Sequence, residues 1–133
     1  MIVNVVASYL DNMSATHSIC DALDTTFTFG SNLFIGIEPN TTVDTMTIIP
    51  YGGPPPNVDK YRQETALQLR FKTSSRYKSL SVQQACIDNL DSNYLSGNGY
   101  MRANSSAPLI IGSIDNDRWI VSVSNFTVKY IKT

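Results

Sequence analysis

Histidine and cysteine are scarce in this 133-residue sequence, with one of the first and two of the second. A structural zinc site draws four ligands mainly from those types, and neither a CxxC nor an HExxH spacing occurs, so no metal or cofactor is expected. Charge is scarce as well. Asp, Glu, Lys and Arg make up 16% of the chain, and ten basic against eleven acidic residues leave a net charge of -1. Such a balance provides no global field for holding a polyanion or an anionic membrane surface. Long apolar runs are missing too, since no stretch approaches the roughly 18 to 20 residues that a spanning helix requires. The first residues, MIVNVVASYLDNM, lack a basic region and a small-residue cleavage site, and are read as part of a soluble, mature domain rather than a secretory signal.

What is present is an ordinary globular balance, 42% hydrophobic and rich in Ser, Thr and Asn,. The length suits one domain spanning residues 1–133. Cys20 and Cys86 lie far apart, each inside an apolar periodic segment. They are expected as buried free thiols in a reducing cytosol rather than as a disulfide.

Hydrophobic periodicity organises the chain. Ile2, Val5, Val6, Tyr9, Leu10 and Met13 share a helical face, and Ser14, Thr16 or Ser18 can open a second short helix before Leu23. Thr26–Phe29 alternates as a strand, Gly30-Ser31-Asn32 turns, and Leu33–Ile37 and Met46–Ile49 read as two more strands, the last stopped by Pro50. Tyr51-Gly52-Gly53-Pro54-Pro55-Pro56-Asn57 is a shaped loop, because the prolines remove backbone donors and fix an extended path. Thr65, Leu67, Leu69 and Phe71 then alternate with Ala66, Gln68, Arg70 and Lys72, one face core and the other largely polar. A helix near residues 79–92, capped by Ser79 or Ser81, buries Val82, Cys86, Ile87 and Leu90 and leaves Gln83, Gln84 and Asp88 wet. Tyr100 to Ile111 is extended with a break at Pro108, and Asp115-Asn116-Asp117 is a hairpin turn. In the last strand Trp119, Val121 and Val123 occupy one parity and Phe126, Val128 and Tyr130 the other, which predicts a β-bulge near Ser124-Asn125. The order gives an α+β domain, its largely antiparallel or mixed sheet packed by the N-terminal helix and the second helix.

Candidate chemistry is thin. His17 and Cys20 sit three apart, a spacing that a helix can bring together for a small hydrolase, but a capping or surface histidine is the preferred reading. Asp88, Asp91, Asn93 and Asn98 lack the glycine and closing glutamate of a calcium loop, and describe a solvated helix end. Lys60, Arg62, Arg70, Lys72, Arg76 and Lys78 form the one basic cluster. A solvated face, a neighbouring subunit's acids and passing DNA remain open for it, in falling order. The sequons at Asn12, Asn40, Asn104 and Asn125 follow from composition.

The N-terminal helix, the strand entering Gly-Gly-Pro-Pro-Pro, the alternating strand that passes into a helix and the final hairpin occur in one order. Together they resemble the tail terminator or minor capsid family of siphovirus-like phages, in which a Gly-Gly-Pro-Pro-like loop precedes a strand ending in Gln-x-x-x-Arg. Gln68 and Arg70 depart from that spacing, and Ser14 to Phe29 is longer than the pattern. Ala107 to Gly112, Asp115, Arg118 and Ser124 to Val128 look like its closing segment. The resemblance implies a non-catalytic virion subunit of the head-proximal tail end, assembled in the host cytoplasm as a homohexameric ring. Its implied partners are further copies of itself, the tail tube protein and a head-completion or connector protein, with transient passage of DNA that is not read by sequence, and no membrane. Tyr51, Gly52, Gly53, Pro54, Pro55, Pro56, Arg62, Arg70, Lys72, Asp115 and Arg118 are the expected contacts. A head-closure or neck connector is the nearest alternative, and a secreted adhesin-like module a more distant one.

Overall fold

The computed structural model describes residues 2–39, 43–52, 55, 62–95, 99–114 and 118–131. Helix α1 covers Ile2–Asp11, as the N-terminal periodicity predicts, but its buried residues are Val3, Val6, Ala7 and Leu10. Ile2, Val5 and Tyr9 flank that stripe half-buried. Five of the first six helical positions are apolar, so spacing left the phase open and packing against the sheet chose it. Helix α2, Ser18–Leu23, is capped by His17 and closed by Asp24 at φ 68°.

The alternating segment 26–29 is not a strand. Its backbone is held by side chains instead: Thr28 N–H donates to Asn32 Oδ1, Asn32 Nδ2 donates to the Thr26 carbonyl, and Phe29 N–H donates to Asp11 Oδ1. Asn and Asp side chains thus take the partners a neighbouring strand would have used. Strand β1 is only Leu33–Ile35, ended by Gly36 at φ 88°, and runs parallel to β2, Thr45–Pro50. Strand β3, Arg62–Thr73, pairs antiparallel with β2 and with β7, Trp119–Ile131. Beyond helix α3, Arg76–Leu90, lie β4 (Asn93–Tyr94), β5 (Tyr100–Ala103) and β6 (Leu109–Ile114). The strand order is β1-β2-β3-β7-β5-β4, with β6 pairing β7. A mixed, mostly antiparallel sheet under three helices is the α+β arrangement that the order of elements predicts.

The helices cover one face of the sheet. Met46, Ile48, Leu67, Leu69, Phe71, Phe126 and Val128 meet Val6, Leu10, Ile19, Leu23, Val82, Cys86 and Leu90 there in one buried cluster. Burying Phe27, Phe71 and Phe126 contributes about 2 to 3 kcal/mol each,. The cap of α3 is Ser75, whose Oγ accepts from Lys78 N–H, and not Ser79 or Ser81. Ser79 is fully buried and donates to Ser122 Oγ at 2.6 Å.

Two further expectations fail for one reason. Gln83 is fully buried, not wet: its Nε2 donates to the carbonyls of Leu69 (2.8 Å) and Ser122 (3.0 Å), and its Oε1 accepts from Ser124 Oγ at 2.6 Å. Strand β7 has no bulge near Ser124-Asn125, since its pairing with β3 runs unbroken from Ile120 to Ile131. The register puts Ser122 and Ser124 opposite Phe71 and Leu69, on the helix face with Phe126 and Val128. The parity slip therefore marks a polar island beneath α3, not an inserted residue. The irregularity sits in β6, between Ile110 and Gly112.

Candidate assembly surface

The loop that follows β2 begins as a continuation of the β2–β3 hairpin. Tyr51 N–H donates to the Ala66 carbonyl at 3.0 Å, and Ala66 N–H returns a bond to the Gly52 carbonyl. Gly52 then takes φ 94°, a left-handed conformation that L side chains adopt at a cost, and turns the chain off the ladder,. Tyr51 is half-exposed and Pro55 is exposed. Gly53, Pro54 and Pro56 lie outside the described residues. Arg62 opens β3 opposite Ile131, at the same end of the sheet. Asp115 lies outside the described residues, and Arg118 is exposed just before β7.

The basic cluster divides. On the face away from the helices, Arg70 Nε donates to Glu38 Oε2 at 3.0 Å, both side chains mostly shielded. Lys72 is 2% exposed, donates to the Pro39 carbonyl at 3.1 Å, and lies 5.1 Å from the centre of the Trp119 ring. The solvated polar face expected of Lys72 is therefore corrected: its charge is held inside the subunit by a carbonyl and an aromatic face. Arg70 and Lys72 fasten the segment after β1 across the sheet, above Val121 and Val123. Lys78 binds Asp44 at 2.9 Å and ties the start of α3 to the approach to β2.

The geometry offers no reactive centre among the described residues. His17 Nδ1 accepts from Ile19 N–H at 3.1 Å, the work of a helix cap, and the hollow beside it is lined by Ser8, Tyr9, Asn12, Met13 and Ser14, without an acid or a thiol. Asp91 caps the end of α3 through its backbone N–H, which donates to the Ile87 carbonyl, while its carboxylate accepts from Ala103 N–H and Arg102 Nε, which hold it below the usual range. No three His, Cys, Asp or Glu side chains among the described residues converge as metal ligands. No described helix is long and apolar enough to cross a membrane. A family model described as bacteriophage tail terminator protein matches residues 16–130. The chain belongs to the bacteriophage tail terminator family. No curated protein matches it by sequence.

In this tail terminator the matched segment runs from α2 to the end of β7, and α1 precedes it. The family is one of structural proteins of the phage tail. Sequence reasoning missed Gln83, Glu38 and Asp44. Gln83 carried a signal, because it stands one residue from Val82 and three from Cys86, within reach of the buried face. Glu38 and Asp44 carried none, since their partners lie more than 30 residues away in sequence.

The two cysteines of the terminator are buried free thiols on α2 and α3. Burial pushes the Cys86 thiol up to about 12, with the neighbouring Cys20 adding to the shift. Cys20 is raised by burial as well, opposed by a hydrogen bond with the Phe27 backbone. The neutral thiol is favoured by the fold, so this contribution is intact below the ordinary thiol value near 9.0 and is lost as pH rises toward about 12,. Native protein at pH 8 is expected to leave both thiols unmodified by a disulfide reagent such as DTNB until denaturant is added. Rapid stoichiometric modification of the folded protein would refute the burial.

Proposed function

We propose that this terminator closes as a homohexameric ring on the end of the tail tube, halts tube polymerisation and offers its other side to a head-completion or connector protein. In this reading it occupies the head-proximal end of the virion tail after assembly in the host cytoplasm, and DNA passes through without sequence-specific contact. The observation that carries the reading is the family match over residues 16–130. The segment Tyr51 through Pro56, between β2 and β3, is the proposed partner contact, with Arg62 at the same end of the sheet; Arg118 stands at the opposite end of β7 and is proposed for a separate contact, as is Asp115. Three fixed prolines lose little conformational freedom on docking, and a half-exposed tyrosine is a common interface anchor,.

Purified terminator added to polymerising tail tube protein is expected to shorten the tubes and to place a ring at one end, as seen by negative-stain microscopy. Tubes of unchanged length, with binding only to portal or adaptor assemblies, would make the protein a neck connector instead. Tyr51→Ala is expected to weaken capping by roughly 30-fold, the value of an interface anchor worth about 2 kcal/mol, while the fold melts as before. Unchanged capping by that variant would remove the hairpin tip from the contact.

A further inference from the structure

Two edge segments of the sheet are uncharged. Residues 25–37, around β1, contain no Asp, Glu, Lys or Arg, and neither do residues 103–114, around β6. At the first edge Phe29, which bridges to Leu33, is 54% exposed, and Ile37, 82% exposed, stands where the chain leaves β1 and turns across the sheet toward Arg70. At the second edge Leu109 is 62% and Ile111 47% exposed.

Strand β6 is paired on one side only among the described residues, to β7, and its six residues make it longer than the edge strands β1 and β4. A free edge presents a row of backbone donors and acceptors, which proteins usually guard with lysines or other inward charges. None of the six residues of β6 carries a charge. Its irregularity leaves Ile111 opposite no residue of β7 and half-exposed.

We infer that the β6 edge of one subunit, through Leu109 and Ile111, docks on the β1 edge of a second copy, through Phe29 and Ile37. The two edges match in charge character. Each is apolar and uncharged, so neither desolvates an ion when they meet, whereas a charged partner segment would leave its ions unpaired against them. They also lie at opposite ends of one sheet and differ from each other. Contacts between unlike surfaces repeat head to tail and close as a ring when the rotation permits. The inference rests on the ring reading above and assigns its subunit contact.

Two full-length variants test it. Leu109→Lys with Ile111→Lys blocks the β6 edge, and Ile37→Lys blocks the β1 edge, all at exposed positions where circular dichroism melts should match the parent. Each variant alone is expected to stay monomeric in size-exclusion chromatography with light scattering, and an equal mixture to give a dimer of one each, because each retains the edge the other lacks. A mixture that stays monomeric, or an Ile37→Lys variant that assembles like the parent, overturns the inference.

A second measurement covers the case of weak association. Ile37→Cys combined with Ile111→Cys, oxidised with copper phenanthroline, should produce a covalent ladder beyond the dimer, while each single cysteine variant should not. No ladder also overturns the inference. If the β6-blocked variant forms complete rings but no longer caps tubes, the edge belongs to the tube protein instead. Tube capping by the unmodified chain is scored separately. A ladder without capping therefore removes the terminator reading and keeps the edge contact, and capping without a ladder does the reverse.

Discussion

Gln83→Ala is expected to lower folding stability by roughly 3 kcal/mol, equivalent to about 10 °C in Tm for a domain of this size. Gln83 lies on α3 over the centre of the sheet, bonded to the Leu69 and Ser122 carbonyls and to the Ser124 hydroxyl, with Ser79 bonded to Ser122 alongside. Truncation strips all three bonds from a fully buried site and leaves a cavity too small to restore them. Unsatisfied buried groups cost roughly 1 to 3 kcal/mol each, and the cavity adds to that. Gln83→Leu separates the two contributions. It refills most of the volume without the bonds, and is expected to recover less than half of the loss. Urea unfolding of both variants checks this, and a change within about 0.5 kcal/mol for Gln83→Ala would show that the polar island holds nothing together.

The second large effect lies on the opposite face. Lys72→Met keeps much of the aliphatic stem but removes the ammonium from the Pro39 carbonyl and the Trp119 ring, and is expected to cost about 2 kcal/mol, the value of a desolvated cation–π contact,. Because Trp119 is the only tryptophan in the chain, its emission reports the same event directly. Release of the segment after β1 should shift the emission to the red and raise quenching by acrylamide, while the helix signal in circular dichroism stays the same. Unchanged fluorescence and unchanged stability together would mean that Lys72 is an incidental neighbour of the ring. Arg70 and Glu38 offer a comparison, since their pair is less shielded and its removal should cost less,.

Both sites show where reading the sequence stops working. Patterns that depend on one element's own geometry were legible: the N-terminal helix, the alternation of Leu67, Leu69 and Phe71, the apolar face of α3 and the end of β2 at Pro50. The buried thiols and the capping role of His17 followed from similar local logic. Misreadings arose where a second element supplied the missing partner. Gln83 looked solvent-facing because glutamine usually is, yet strands β3 and β7 present carbonyls and a hydroxyl at the same depth. Ser122 and Ser124 looked like the wrong face of a strand, and the slip in parity was assigned to a bulge. The slip is real, but it reflects polar residues buried beneath a polar helix side chain.

The same division holds for the scarcity of histidine, cysteine and charge. Composition alone made a zinc shell and a global polyanion-binding field unexpected, because the chain has one histidine, two cysteines and a net charge of -1,. It also laid down two uncharged stretches, residues 25–37 and 103–114, without indicating that they lie at opposite edges of one sheet. Only the tertiary structure decided that placement, since strand order depends on pairings between residues tens of positions apart and no local pattern encodes it. It likewise decided that two members of the one basic cluster, Arg70 and Lys72, turn inward to hold the segment after β1. A charge's partner is set by the fold, and its number by the sequence.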